Sequence, residues 1–113
     1  MQRDTRAFLW DVLHAANKIE RFLQGQTRDD FMRDELLQSA VERQLAIIGE
    51  ALRQLSRTAA AVAQEVGDVE QIIGLRNVLI HGYAIVDSDL IRRSVQEDLP
   101  ALKQTAERLL ASA

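Results

Sequence analysis

The chain has 113 residues, of which 47% are hydrophobic and 4% aromatic, and its formal net charge is −3. This acidic balance argues against a protein that coats nucleic acid through a broad basic surface, and the absence of cysteine excludes disulfides, thiolate metal sites and a cysteine nucleophile. The aliphatic composition with one proline predicts a helical protein in a single domain, residues 1–113.

The N-terminus predicts a cytoplasmic protein. It lacks the apolar run of a signal peptide, and no stretch of the sequence reaches the about 20 apolar residues of a membrane span. The first predicted helix runs from about residue 4 to residue 22, where apolar residues recur at three- and four-residue spacing. Gly25 is expected to end it.

A second helix is predicted to follow at once. Thr27 and Asp30 have the spacing of a capping box, so this helix should begin near Arg28 and run unbroken to residue 56 or 57. Its apolar stripe is broad enough to touch partners on two sides. We therefore expect it to take part in a shared interface as well as in the core.

The second half of the chain is predicted to form further helices. Residues 58–65 are either the frayed tail of the second helix or a short separate turn, and a third helix is predicted over 69–80. Asp87 begins a fourth helix, and Pro100 is expected to cause a break or kink near residue 98 or 99, after which a fifth helix runs to the end. The expected fold class is all-α, an antiparallel bundle of four to five helices.

The stretch 73–83 breaks the apolar pattern of the third helix. Arg76 falls near the middle of the apolar arc, where a permanent charge needs a carboxylate, a carbonyl or a phosphate to compensate it. In a regular helix His81 lies about 140° around the axis from Arg76, whereas Asn77 shares a face with His81. The two residues can meet one substrate if the helix ends at Ile80, if the arginine reaches around, or if a second copy supplies one of them.

Arg76 and His81 suit RNA strand scission without a metal ion. An imidazole can act as acid or base, and a guanidinium offers a charged fork for phosphate oxygens. Asn77 can orient the imidazole or the phosphate, and Tyr83 can stack on a base or hydrogen-bond a phosphate. An arginine and a histidine at this spacing also occur together by chance, so the spacing alone does not decide the function.

The segment from Ile73 to Tyr83 resembles the R-x4-H-x-Y signature of the HEPN superfamily, in its HepT-like branch. The resemblance extends over nearly the whole chain, because further segments are similar to the family in the same order: 11–13, 19–22, 44–51 and 97–100. It implies a HEPN-like homodimer that acts as the toxin of a toxin–antitoxin pair. The implied activity is that of a metal-independent endoribonuclease that needs no cofactor.

Carried over to this sequence, the resemblance implies that Arg76 and His81 are the catalytic pair. Tyr83 would accept AMP from the partner, a minimal MntA-like nucleotidyltransferase antitoxin. A nucleotide two residues from His81 would block a phosphate-binding cleft by its bulk and its negative charge. The sequence departs from the family at 68–71, where relatives often carry a tryptophan in the turn that leads into this helix.

Four further features of the sequence allow a structural or a functional interpretation. Glu50 either pairs with Arg76 or orients it, or it is a solvated charge on a helix face. His14 is expected at the surface or in satisfied packing, and Trp10 at the rim of the core or at an interface rather than as a platform for bases. The acids at 29–35 should compensate helix dipoles, although a basic antitoxin surface can also use them. No residue set has the spacing of metal ligands.

Two other functions remain open from the sequence. The chain can be a non-catalytic helical module that serves as partner and substrate of a nucleotidyltransferase. It can also be a purely structural helical dimer that keeps the motif for folding.

Overall fold

The described part of the chain is built from helices alone. A computed structural model describes residues 3–66 and 87–112, and these contain α1 (Arg3–Leu23), α2 (Arg28–Arg33), α3 (Glu35–Thr58), α4 (Ala60–Glu65) and α5 (Ser88–Ala111). The all-α prediction is thereby confirmed. The helix predicted over 69–80 lies outside the described residues.

The core lies between the three long helices. α1 packs against both α3 and α5, and each of the three contributes an apolar stripe at helical spacing. α1 and α5 run antiparallel, because Arg6 near the start of α1 meets Leu110 near the end of α5. The large core side chains that are fully or almost fully buried include Leu9, Val12, Ile19, Val41, Ile48, Leu52, Leu55, Ile91 and Leu102.

The predicted caps are confirmed. Gly25 adopts a left-handed φ of +76°, which favours glycine, and it follows the end of α1. The Thr27 hydroxyl accepts from the Asp30 N–H at 3.1 Å, and the Asp30 carboxylate accepts from the Thr27 N–H at 2.9 Å. Asp87 caps α5 by accepting two backbone N–H bonds. These bonds satisfy donors that a helix start otherwise leaves open.

The prediction of one unbroken helix from Arg28 is wrong, because the chain breaks at Asp34. This residue has extended backbone (φ −110°, ψ 95°) and ends α2 with an N–H that donates to the Phe31 carbonyl at 3.3 Å. Its carboxylate accepts from the Leu37 N–H at 3.0 Å and so begins α3. A short acidic side chain can replace a helical hydrogen bond locally, which is why aspartate favours caps over helix interiors.

The segment after α3 forms a separate short helix. Ala59 ends α3 with φ −150° and ψ 64°, and α4 then starts without a side-chain cap. Of the two alternatives for residues 58–65, the separate turn is therefore the one that the structure adopts. α4 packs on α3 through the buried Ala63.

Of the break or kink predicted near residue 98 or 99, the break does not occur, since α5 continues through Pro100. A proline removes one helical donor, and the carbonyl that loses its partner belongs to Gln96. Both Gln96 and Pro100 are exposed, so water can reach this turn of the helix. The nearby Leu99 and Leu102 are buried in the core, and their packing stabilises this part of α5.

Candidate functional site

A cleft lies on the surface between α1 and α3. Its volume is about 270 Å³. Its apolar side chains come from both helices. Three of its polar side chains come from α3 and one comes from α1. The described residues that line it are Phe8, Asp11, Arg43, Ala46, Ile47, Glu50, Ala51 and Gln54.

Glu50 is the predicted site residue that the structure describes, and it lies in this cleft. Its side chain is half-buried, and its Oε1 accepts a hydrogen bond from Gln54 Nε2 at 3.1 Å. Glu50 and Gln54 are one helical turn apart, so they share a face of α3. This bond holds the carboxylate against the wall of the cleft.

The polar groups of the cleft favour a cation as the neighbour of Glu50. Asp11 and Glu50 present carboxylates, while Arg43 is the cationic side chain among the described lining residues. Two carboxylates repel a phosphate, but they can orient a guanidinium through charge-assisted hydrogen bonds. Such a cleft suits the positioning of an arginine better than the direct binding of RNA.

The other predicted site residues lie outside the described residues. These are Arg76, Asn77, His81 and Tyr83, all within 67–86. Their proposed roles stay predictions.

The sequence analysis did not identify the residues that lie beside Glu50 on the same face of α3. Arg43, Ile47, Glu50 and Gln54 recur at spacings of four, three and four, which is the pattern of one helix face. That spacing was available in the sequence. It was hidden because α3 has a second, mostly apolar face that buries Ile48 and Leu52 and dominates the pattern.

The outer face of α1 carries a stacked aromatic pair. The rings of Trp10 and His14 are nearly parallel, with an interplanar angle of 13° and centroids 4.5 Å apart. Both residues are exposed, and Trp10 keeps 55% of its surface accessible. The surface position expected for His14 is confirmed. Trp10 projects from the helix and takes no part in the core.

The acids around α2 act as expected at helix starts. The Thr27 backbone N–H donates a hydrogen bond to the Asp30 carboxylate, and this bond, together with the Thr27 side chain, lowers the pKa of the Asp30 carboxyl. Asp34 caps α3. No group of three or more potential metal ligands occurs within residues 3–66 and 87–112. None of the helices in the same ranges is long and apolar enough to cross a membrane.

The family model described as Ribonuclease HepT-like matches residues 12–109. The chain belongs to the HepT-like ribonuclease family. This HepT-like chain is 36% identical over 106 residues to a Methanocaldococcus jannaschii protein named "Putative RNase", with 94% of this chain and 96% of that protein covered. It is 34% identical over 109 residues to the "Probable ribonuclease HepT" of Thermococcus cleftensis, with 96% and 98% covered. No solved structure matches the chain.

The HepT-like match includes most of the candidate site. Its range contains the α3 wall of the cleft with Glu50, and it contains the segment 73–83 that carries the arginine and histidine of the signature. Phe8 and Asp11 of the α1 wall precede it. The recognition made from the sequence is thereby confirmed.

Proposed function

We propose that this HepT-like chain is a metal-independent endoribonuclease, the toxin of a toxin–antitoxin pair acting on RNA in the cytoplasm. The observation that carries the proposal is the family match over 12–109, which spans a sequence with Arg76 and His81 at the family's spacing. The names of the relatives, a ribonuclease HepT among them, support the same reaction class. All 113 residues would act as one domain.

The reaction needs three things: a base that removes the proton of the 2′-hydroxyl, an acid that gives a proton to the leaving 5′-oxygen, and a group that stabilises the charge of the phosphorane. The 2′-hydroxyl of the ribose attacks the adjacent phosphorus, and the 5′-oxygen of the next nucleotide leaves, so a 2′,3′-cyclic phosphate and a 5′-hydroxyl are formed. His81 would move a proton at one of these two oxygens, and Arg76 would stabilise the added negative charge on the phosphorane. Asn77 would orient the imidazole or the phosphate.

Glu50 would serve as a positioning residue. Its carboxylate lies on the α3 wall of the cleft, is fixed by Gln54 and has a second acidic group, Asp11, across the cleft. These acceptors favour an arginine as their partner. Arg76 is the candidate, because its predicted place in the apolar arc of the helix predicted over 69–80 requires a compensating group. Glu50 would thus hold the guanidinium in the orientation that receives phosphate.

We also propose that the chain acts as a homodimer, with a composite cleft formed by two copies of the motif. The partner would be an MntA-like nucleotidyltransferase antitoxin that transfers AMP to the Tyr83 hydroxyl. A bulky anion at that position would exclude the RNA phosphate from the cleft. The alternative is a non-catalytic module that only accepts AMP from such a partner.

The test of cleavage uses purified full-length protein, a defined RNA and EDTA in excess. We expect new ends that carry 2′,3′-cyclic phosphate and 5′-hydroxyl groups, and a loss of at least about 100-fold in rate for Arg76→Ala and for His81→Ala. Arg33→Ala is the matched control, because Arg33 is an exposed arginine on α2. Undiminished cleavage in either motif variant, with folding checked by circular dichroism, would refute the catalytic roles.

The test of the modification uses co-expression with a candidate nucleotidyltransferase. Intact-mass analysis should find the mass of added AMP on the wild-type chain and none on Tyr83→Phe. AMP addition that persists in Tyr83→Phe would refute the site. AMP addition to a wild-type chain that never cleaves RNA would favour the binding-module alternative.

A further inference from the structure

The outer face of α1 combines its stacked aromatic pair with positive charge. At 100° per residue, Arg6, His14, Asn17 and Arg21 all fall within about 40° of Trp10 around the helix axis. All five side chains are exposed. The face therefore carries two guanidinium groups, an imidazole, an indole and an amide, and no carboxylate.

The acids of α1 are kept off this face. Asp4, Asp11 and Glu20 lie about 80° or more from Trp10 on the helical wheel, toward the flanks. Glu20 is engaged elsewhere, since its Oε2 accepts from Lys103 Nζ on α5 at 2.7 Å. In a chain of net charge −3, an acid-free stripe over about four turns is a local reversal of sign.

The two arginines are available for an anion. Arg6 donates one hydrogen bond to the Leu110 carbonyl at 3.2 Å, and Arg21 lies over the Phe22 ring at 5.9 Å from its centroid. Neither contact neutralises the charge of its guanidinium. Within residues 3–66 and 87–112, neither arginine forms an ion pair with a carboxylate. A guanidinium has five N–H donors, so most of them stay open to phosphate oxygens.

Packing does not explain the exposed indole. The buried residues of α1, such as Val12 and Ile19, lie on the opposite side of the helix, about 160–180° from Trp10. The stack on His14 restrains the ring and orients it, and 55% of the tryptophan still faces solvent. An oriented aromatic ring between positive side chains is the arrangement on which single-stranded nucleic acid stacks its bases.

We infer that this face of α1, with Trp10 and His14 as a stacking platform and Arg6 and Arg21 as phosphate contacts, binds a single-stranded segment of RNA. The inference takes its ligand from the proposed function and adds where the substrate is held outside the cleavage site. Arg6 and Arg21 are 15 residues apart, or about 22 Å along the helix, so the face is long enough to contact several nucleotides of one strand. Asp11 follows Trp10 in sequence and lines the α1–α3 cleft, so the bound strand would pass beside that cleft.

The structure makes Trp10 a direct reporter, since it is the one tryptophan of the 113 residues. The probe is a single-stranded 2′-O-methyl oligouridine of about 8 nucleotides, which lacks the attacking hydroxyl and stays uncleaved. Titration into the wild-type full-length protein should quench the tryptophan fluorescence to saturation. The same titration with a duplex of equal length should quench it much less, because paired bases are not free to stack on a side chain.

Affinities of the variants are measured with a labelled copy of the probe by fluorescence anisotropy. Trp10→Ala should weaken binding about tenfold and Trp10→Phe less. Arg21→Gln should reduce the slope of log affinity against log salt by about 0.7. Leu36→Ala and Arg33→Gln are the matched controls, since both residues are exposed on other helices, and they should change neither quantity.

Three results would overturn the inference: no binding of the probe, equal binding by wild type and Trp10→Ala, or a change of oligomeric state in Trp10→Ala that alone accounts for the loss. The last result would assign the face to a second copy of the chain. Cleavage in EDTA is scored separately. If the probe quenches the fluorescence but the protein cleaves no RNA, the proposed function is refuted and the stacking platform stands. If the protein cleaves RNA but the variants bind the probe as the wild type does, the platform is refuted and the proposed function stands.

Discussion

Gln54 Nε2 lies 3.1 Å from Glu50 Oε1, so an amide and a carboxylate one turn apart on α3 are joined on the wall of the α1–α3 cleft. The amide of Gln54 fixes one oxygen of the Glu50 carboxylate, and the Glu50 side chain is half-buried. A carboxylate held in this way can set the direction of a cationic group that enters the cleft. It cannot itself stabilise the charge of a reacting phosphate.

The first prediction concerns this pair. Glu50→Ala should lower the rate of RNA cleavage about 100-fold, because a misplacement of about 1 Å in a catalytic group has an effect of this size. The loss should fall on kcat more than on KM, and Glu50→Gln, which keeps the bond geometry but removes the charge, should recover part of it. Glu97→Ala, an exposed acid on α5, is the control. Equal rates for Glu50→Ala and Glu97→Ala would exclude the positioning role.

The second prediction concerns the corner between α2 and α3. Asp34→Ala should lower the free energy of unfolding by about 1–2 kcal/mol, because it removes the side-chain cap on the Leu37 N–H. Urea unfolding measures the change. Asp29→Ala, which removes an acid from the first turn of α2, should cost less, since Asp29 has no such cap role. Equal losses for the two variants would mean that charge near helix starts, rather than the cap, matters.

The third prediction concerns the proline inside α5. Pro100→Ala should raise the free energy of unfolding by about 1–3 kcal/mol, because alanine restores the donor to the Gln96 carbonyl and is the better helix former by about 3 kcal/mol. The gain is reduced by the loss of the apolar surface that Pro100 contributes to a groove, which Phe31 and Leu99 also line. Gln104→Ala, at an exposed position of the same helix, should change stability by only a few tenths of a kcal/mol. A destabilised Pro100→Ala would show that the groove contact outweighs the hydrogen bond.

The fourth prediction concerns acid stability. Arg28 Nε lies 2.9 Å from Asp89 Oδ1, and this hydrogen bond holds the pKa of the Asp89 carboxyl below its usual 3.8. A carboxyl with a lowered folded-state pKa contributes stability above its unfolded value, which is lost as the pH falls through the folded value. Arg28→Gln should raise the pKa of Asp89 toward 3.8, measured by carboxyl NMR, and should flatten the loss of stability below that pH. Arg33→Gln is the control and should leave the pKa of Asp89 unchanged.

The fifth prediction has the opposite sign. Burial raises the pKa of the Glu42 carboxyl above its usual 4.5. Its charged form therefore destabilises the fold as the pH rises through the folded value. Glu42→Gln should raise the melting temperature at pH 7 and have less effect below pH 4.5. The same gain at both pH values would point to a cause other than charge.

The sequence predicted what short-range chemistry decides. The Thr27–Asp30 box, Gly25 after α1 and Asp87 before α5 each depend on residues within three positions, and each is present. The break at Asp34 and the continuity at Pro100 were mispredicted because they depend on competition between local bonds and packing. Phe31 anchors α2 separately from α3, and the packing of Leu99 and Leu102 stabilises this part of α5.

The candidate site also has one part that the sequence predicted and one part that depends on tertiary contacts. Glu50 was selected from its place in the stripe of α3, but Asp11 could not be paired with it from the sequence, because the approach of α1 to α3 is a tertiary contact. The same applies to Trp10. Its spacing to His14 was visible, whereas the stacking of the two rings and their exposure depend on which side of α1 faces the core.

The hydrogen bond from Arg6 Nη1 to the Leu110 carbonyl brings the beginning of α1 beside the end of α5. A fluorescent protein or affinity tag fused at either end would therefore project from the same pole of the bundle. A short linker could join the two ends and permit circular permutation, with new ends opened at the exposed stretch around Thr58. Permuted chains of this kind would place a label at the end of α3, far along the chain from both Arg6 and Leu110.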